Sequence, residues 1–160
     1  MAPQVGDIVF AHSSGMMGKA IRFGERLQFK RGSFYNHVCI VDRIVDGVAY
    51  VVQAEPRGVT NDKTLESVGT VTLITPPAHV DVEKMLTFAR AQVGSKYGFM
   101  SIMSIVVDVI SWDWFPAMRA RGTWICSALT AESLRYGGWF HNWPDIYIPK
   151  PSDVYNALVV

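Results

Sequence analysis

Residues 123–138 read TWICSALTAESLRYGG, and the reading of the whole chain turns on this stretch. From Ile125 to Tyr136 the composition is helical, because Leu, Ala, Glu and Arg are good helix formers. Thr123 is the predicted N-cap, and Gly137-Gly138 the stop. Cys126 then falls in the first turn. There the unpaired backbone N–H groups and the positive end of the helix dipole favour an anion. Such a site lowers a thiol's pKa, and the thiolate is the nucleophilic form. A catalytic cysteine placed this way can use its own backbone N–H to bind an oxyanion. A small buried hydrophobe would look the same in sequence. On this stretch alone the buried hydrophobe is the preferred reading.

Composition narrows the field. At 160 residues the chain is long enough for one domain with a sizeable core, taken as residues 1–160. With 49% hydrophobic and 18% charged residues it is globular, not disordered. A net charge of +1 lacks the footprint of a nucleic-acid binder, so no nucleic-acid partner is expected. The 2 cysteines, Cys39 and Cys126, do not make a disulfide framework; they could in principle pair, but the composition is that of a reducing compartment. The opening MAPQVGDIVF has neither the charged nor the long apolar region of a signal peptide. That predicts a cytoplasmic protein, or one delivered elsewhere by another route. Phe99 to Phe115 (FMSIMSIVVDVISWDWF) is apolar almost throughout, yet shorter than the roughly 20 residues of a spanning helix. Asp108 and Asp113 also interrupt it. It predicts a core or half-exposed helix, or a lid over a groove. Trp112, Trp114 and Phe115 would also suit contact with a membrane surface, although no Lys/Arg run flanks them.

Taken in order, the chain gives short strands first and helices later. Val5 to Ala11 is a β-rich run, and Gly15 to Phe29 a modest helix followed by a loop at Lys30–Ser33. His37 to Val45 and Val48 to Glu55 form a hairpin around Asp46-Gly47, and Pro56 ends its second strand. A further strand lies near Val71 to Thr75, before Pro76-Pro77. Asp81 to Val93 is the clearest helix, with Val82, Met85, Leu86, Ala89 and Val93 on one face and Gly94 after it. Pro116 ends the apolar segment. The tail beyond the Cys126 helix, rich in Trp, Tyr and Pro, reads as irregular. The class is α+β.

A thiolate needs a base, and the base needs an orienting partner. His37 opens the first hairpin strand and shares a face with Cys39, while Val38 and Ile40 point the other way. On the second strand Val51, Gln53 and Glu55 share a face. A polar residue in the middle of an apolar strand is costly unless hydrogen-bonded, so Gln53 needs a partner. A histidine on the neighbouring strand would serve, the amide oxygen accepting its N–H and fixing the tautomer. Glu55 could do the same with a charge. A solvent-facing His37 and a Gln53 satisfied by backbone are the plainer alternatives.

The ordered set GDIVF, YNHVCIV, VVQAEPRGV and ICSALTAESLRYGG, from about Gly6 to Gly138, resembles the circularly permuted branch of the NlpC-type papain-like cysteine hydrolases. Lecithin retinol acyltransferase belongs to the same wider group. The resemblance implies a small antiparallel sheet packed beside the helix that carries the nucleophile. It also implies Cys126 as nucleophile, His37 as base and Gln53 in the polar third position. Many members of the branch carry Glu there. The wider fold accepts His, Glu, Gln or Asn, and Glu55 stands two residues on. Residues 91–99 (AQVGSKYGF) are similar to a Gly-x-x-Tyr segment of the family, which gives Tyr97 an accessory role at the oxyanion. Cys39 stands where the family has a small residue such as Gly.

These assignments predict acyl transfer at an amide, ester or thioester carbonyl, with no cofactor. The Trp124, Trp139 and Trp143 group around the Cys126 helix reads as core or groove wall, and Trp124 as a candidate substrate contact beside Tyr97. The substrate implied is a cell-wall-type peptide, or a lipid acyl group as in other permuted members. A silent peptide- or lipid-binding module, favoured by Gln53 in place of Glu, is the alternative from another class. His37, Cys39 and Cys126 could mimic three metal ligands, but the paired spacings of a zinc site are absent, so no metal is expected. His12, His79 and His141 have no partner pattern and read as surface residues.

Overall fold

The hairpin of the sequence reading forms with the expected bounds. In the computed structural model, strand β2 spans His37–Val45 and β3 spans Val48–Glu55. Asp46 and Gly47 both take positive φ at the turn (50° and 79°), the geometry that matches strand twist and favours Asp-Gly. The structure describes residues 2–12, 35–98, 123–139 and 149–159. The expected helix at Gly15–Phe29, the loop after it, the apolar segment 99–115, Pro116, His141 and Trp143 lie outside those residues.

Around the hairpin, β1 (Ile8–His12), β4 (Gly58–Thr64) and β5 (Thr70–Ile74) complete a five-stranded sheet of order β4-β3-β2-β1-β5. All its pairings are antiparallel. A single 3-10 turn, Leu65–Val68, links β4 to β5. The helices described are α1 (Val82–Ala91), α2 (Cys126–Tyr136) and α3 (Pro151–Val159), so the molecule is α+β. No helix among the described residues is long and apolar enough to cross a membrane.

Strand periodicity sorts side chains into two cores. Ile8, Phe10, Val38, Ile40, Val52 and Ala54 meet Met85, Leu86, Ala89, Leu129 and Leu134 of α1 and α2. On the other face Val9, Cys39, Val41 and Val51 pack with Leu65, Val68, Val71 and Leu73. Helix α1 starts where Asp81 accepts a hydrogen bond from the Lys84 N–H at 3.0 Å. Val93, expected on its buried face, lies beyond the helix and is 41% exposed. The helix is also pinned to β2, because Arg90 Nε donates to the buried Asp42 carboxylate at 2.7 Å, beside a β-bulge.

Three elements depart from the sequence reading. β4 (GVTNDKT) was hidden by its polarity, which suits the sheet edge it occupies. The tail beyond Lys150 is helical, not irregular. Pro151 opens α3, and Asp153 accepts from the Lys150 N–H at 2.8 Å, as an acid three residues into a helix can. Thr123 is not the N-cap of α2. It belongs to a short strand β7 (Thr123–Trp124), paired in parallel with β6 (Lys96–Tyr97), and Ile125 takes the cap position.

Gly58 joins the sheet edge to this second, two-stranded sheet. Its φ is +120°, and a Cβ there would sit 2.7 Å from the Ser95 carbonyl oxygen. The next residue, Val59, exchanges 2.9 Å hydrogen bonds with Ser95 and Gly94. Gly58→Ala should therefore destabilise the fold by about 1–3 kcal/mol through strain and lost contacts, read as a lower urea midpoint at unchanged slope.

Candidate active site

Two backbone features bring the candidate residues together. Val41 exchanges hydrogen bonds with Gly6 and Asp7 on the β1 side, so strand alternation turns the Val38 N–H toward β3. The β2–β3 pairing, however, reaches only as far as Ile40 opposite Val52. Beyond that point the strands part, and a bulge between Val51 and Gln53 loosens β3 further. Helix α2, which opens with Cys126, packs against both strands. Cys126 is 5% exposed there and forms no disulfide.

His37, half-buried at the start of β2, is held by Gln53. The ring Nε2 and the Gln53 Oε1 are 2.7 Å apart. An amide oxygen only accepts, so Nε2 carries the hydrogen and Nδ1 is left for a thiol. Gln53 is 5% exposed, and this bond gives its buried amide oxygen the partner it needs. Of the two orienting candidates, Gln53 is the one that reaches the imidazole.

Glu55 does not. The tight turn after it folds β4 back and sets Arg57 and Lys63 against its carboxylate, with Lys63 Nζ at 3.7 Å. Thr60 Oγ1 donates to the same carboxylate at 3.4 Å. Glu55 is therefore a residue of the β3–β4 charge cluster, not a partner of His37.

Burial would push His37 down, but its interaction with Cys126 and Cys39 outweighs this and holds the imidazole well above its usual range. Burial would raise Cys126. It is outweighed by the bond and charge of His37 and by donation from the Val38 and Ser127 N–H groups, which bring the thiol below its ordinary value. Cys39 goes the opposite way, because burial pushes it up despite His37. The site thus favours a thiolate–imidazolium pair at Cys126, and a neutral thiol at Cys39.

Tyr97 is brought close by β-pairing. It stands opposite Trp124 in the β6–β7 ladder, and Gly98 N–H donates to the Trp124 carbonyl at 2.9 Å, two residues before Cys126. Burial, then the Cys126 charge, raise the Tyr97 phenol above its ordinary value, so it stays protonated and able to donate. Trp124 is 5% exposed, its indole N–H donates to Gln92 Oε1 at 3.0 Å, and its ring meets Phe88 edge-on, contacts that brace the wall of the site. Trp139 is likewise core. His79 is exposed, and His12 half-buried at the end of β1.

Sequence reasoning gave the Val38 N–H no role. A backbone donor leaves no signal in residue type and becomes visible only where the ladder stops.

No protein-family model matches the chain, and no curated protein matches it. The chain is similar to a crystal structure described as metalloprotein yiiX from Escherichia coli O157:H7, DUF1105. The TM-score is 0.59 at 18% sequence identity, over 86% of this chain and 67% of that one. At that identity the likeness shows the fold alone.

The geometry separates the two orienting candidates in a single titration. Following iodoacetamide alkylation of Cys126 against pH in a Cys39→Ser background, Gln53→Leu should move the midpoint up by roughly one unit or more. The variant leaves a buried N–H without its acceptor. Glu55→Gln should leave the curve where it is.

Proposed function

We propose that the protein is a cysteine hydrolase with a circularly permuted, NlpC-type papain-like architecture, acting by acyl transfer on the amide bond of a short, cell-wall-type peptide. One observation carries this reading. A single imidazole has Nε2 on the Gln53 amide oxygen at 2.7 Å and its remaining bonding capacity directed to a buried thiol at a helix N-terminus.

In this mechanism the Cys126 thiolate attacks the carbonyl carbon. The carbonyl oxygen gathers charge near the first turn of α2, where backbone N–H groups have no carbonyl one turn back, and Tyr97 O–H adds a donor from the side. His37, protonated, gives its proton to the leaving amine as the tetrahedral adduct collapses to a thioester. It then takes a proton from water, which attacks the thioester and frees the acid. Gln53 holds the ring plane through both steps.

Charged side chains favour a peptide over an acyl chain. Glu55 and Arg57 cap the strand that carries Gln53, and Lys96 is exposed next to Tyr97. Such surroundings suit a substrate with its own charges. The structural neighbour is described as a metalloprotein, but the donors here do not fit an ion. Among the described residues no group of three His, Cys, Asp or Glu side chains is placed to hold a metal, and His37 commits one nitrogen to Gln53. No step runs through one.

Peptide turnover and acyl-enzyme mass on Cys126 test the proposal against wall-type peptides, with acyl lipids in parallel. Cys126→Ala should abolish turnover, and His37→Ala should lower kcat by roughly 10³-fold or more. Tyr97→Phe should cost about 10²-fold, as for loss of one oxyanion donor. The rate should rise as Cys126 ionises below the usual thiol range, then fall as His37 loses its proton above the usual imidazole range. The two limbs belong to the coupled pair. An adduct from acyl lipids alone would move the substrate class. A thiol with an ordinary titration and no adduct would leave a binding module.

A further inference from the structure

The strand end that carries His37 is paired on one side. β2 lies between β1 and β3, but its pairing with β3 starts only at Ile40. Among the described residues, His37, Val38 and Cys39 are therefore laddered to β1 alone. Just before that end, Tyr35 reaches across the sheet. Its hydroxyl donates to Thr72 Oγ1 at 2.9 Å, and Thr72 stands on β5, on the far side of β1. On the way its ring lies against Phe10, the β1 residue opposite Thr72, with centroids 5.6 Å apart. Helix α3 closes the cluster, because Tyr155 meets Tyr35 at 4.8 Å and Phe10 edge-on at 5.2 Å. Its neighbour Val154 is fully buried in the core that α3 shares with α2. Helix α3 thus touches both the helix that opens with Cys126 and the chain entering the strand of His37.

We propose that Tyr35 and Tyr155 are positioning residues for His37, and that their cluster with Phe10 and Thr72 anchors the start of β2 and holds the imidazole against Cys126. The role presupposes the Cys126–His37 pair of the hydrolase reading. Both tyrosines act through the backbone. Between Tyr35 and His37, the Asn36 N–H donates to the Ala11 carbonyl at 3.1 Å, and His37 stands opposite Ala11. Those contacts set the distance of the strand end from β1, but one edge of pairing leaves it free to swing about that edge. Tyr35 removes the swing by tying the chain to β5 and α3. Tilted and edge-on rings attract one another beyond their burial, so the tie has a direction. Gln53 sets the plane of the imidazole, and the anchor sets the point from which it projects. A displacement of about 1 Å is enough to impair a paired catalytic group, so a loosened anchor should show at Cys126.

Iodoacetamide alkylation of Cys126 against pH, in a Cys39→Ser background, tests this beside the urea midpoint of each variant. Tyr35→Phe keeps the ring and removes only the bond to Thr72. It should raise the alkylation midpoint by several tenths of a pH unit. Tyr155→Ala opens the cluster and should raise it by about half a unit or more, while Tyr155→Phe should recover most of the wild-type curve. Asp81→Ala removes the cap of α1, outside the cluster, and should lower the urea midpoint without moving the titration. If Tyr155→Ala does not fold, Tyr35→Phe decides alone. A wild-type thiol that titrates below its ordinary range, and stays there in both cluster variants, would overturn the proposal and leave the hydrolase reading intact. An equal shift in Asp81→Ala would overturn it too, since general loosening would then be the cause. An ordinary titration in the wild type would overturn both.

Discussion

The site depends on the place where two strands stop pairing. Up to Ile40 and Val52 the β2–β3 ladder is closed, and its backbone groups satisfy one another. One step further the Val38 N–H needs an acceptor, and the amide of Gln53 needs a partner across the gap. In a buried setting each unsatisfied group would cost about 1–3 kcal/mol. The chain meets both demands with functional side chains. The Cys126 sulfur accepts from Val38, and the Gln53 oxygen accepts from His37. The same interactions that finish the end of the sheet hold Cys126 and His37 in place.

The other side of Cys126 is approached through backbone pairing. Val59 of β4 bonds Ser95 and Gly94, the segment continues into β6, and β6 pairs with β7, whose last residue lies two before Cys126. Edge strand, Tyr97 and Cys126 are linked through a few peptide groups, so little side-chain freedom enters between them. The neutral Gln53 also matters. With a carboxylate in its place a charged site would hold one cation and two anions. With an amide, the imidazolium and thiolate balance, and a buried balanced pair carries a smaller desolvation penalty than a buried excess charge. The cost is that each member then relies on the other for its charge.

What could be read in the sequence follows from where the determining physics is local. The hairpin was legible because Asp46-Gly47 admits the required positive φ and strands of β-branched residues flank it. Gln53 was legible because an amide in an apolar strand demands a partner, and His37 was the nearest one. Glu55 was not, because its fate depends on β4, whose polar residues give no strand signal. The β6–β7 pairing joins two residues to two others across a long stretch of chain, and nothing in either dipeptide announces it. Thr123 looked like a cap for the same reason, since a good N-cap residue can be taken by a strand when a partner is present. The indole of Trp124 could be placed near the site but not aimed. Its direction is set by Gln92, just beyond the end of a different helix.

Both thiols are influenced by the same imidazole, yet their acidities move in opposite directions. Both gain from its bond and charge. The difference comes from the backbone. Cys39 lies within a strand, opposite Val9 in the β1–β2 ladder, where neighbouring N–H groups are used for pairing. Cys126 lies at a helix start and receives the Ser127 N–H, and the parted ladder adds the Val38 N–H. Those fixed donors solvate a thiolate without the reorganisation that water would need. Under equal burial they tip the proton off Cys126 and leave it on Cys39. The fixed N–H donors at secondary-structure ends thus add to what the imidazole supplies, and they do so for Cys126 alone.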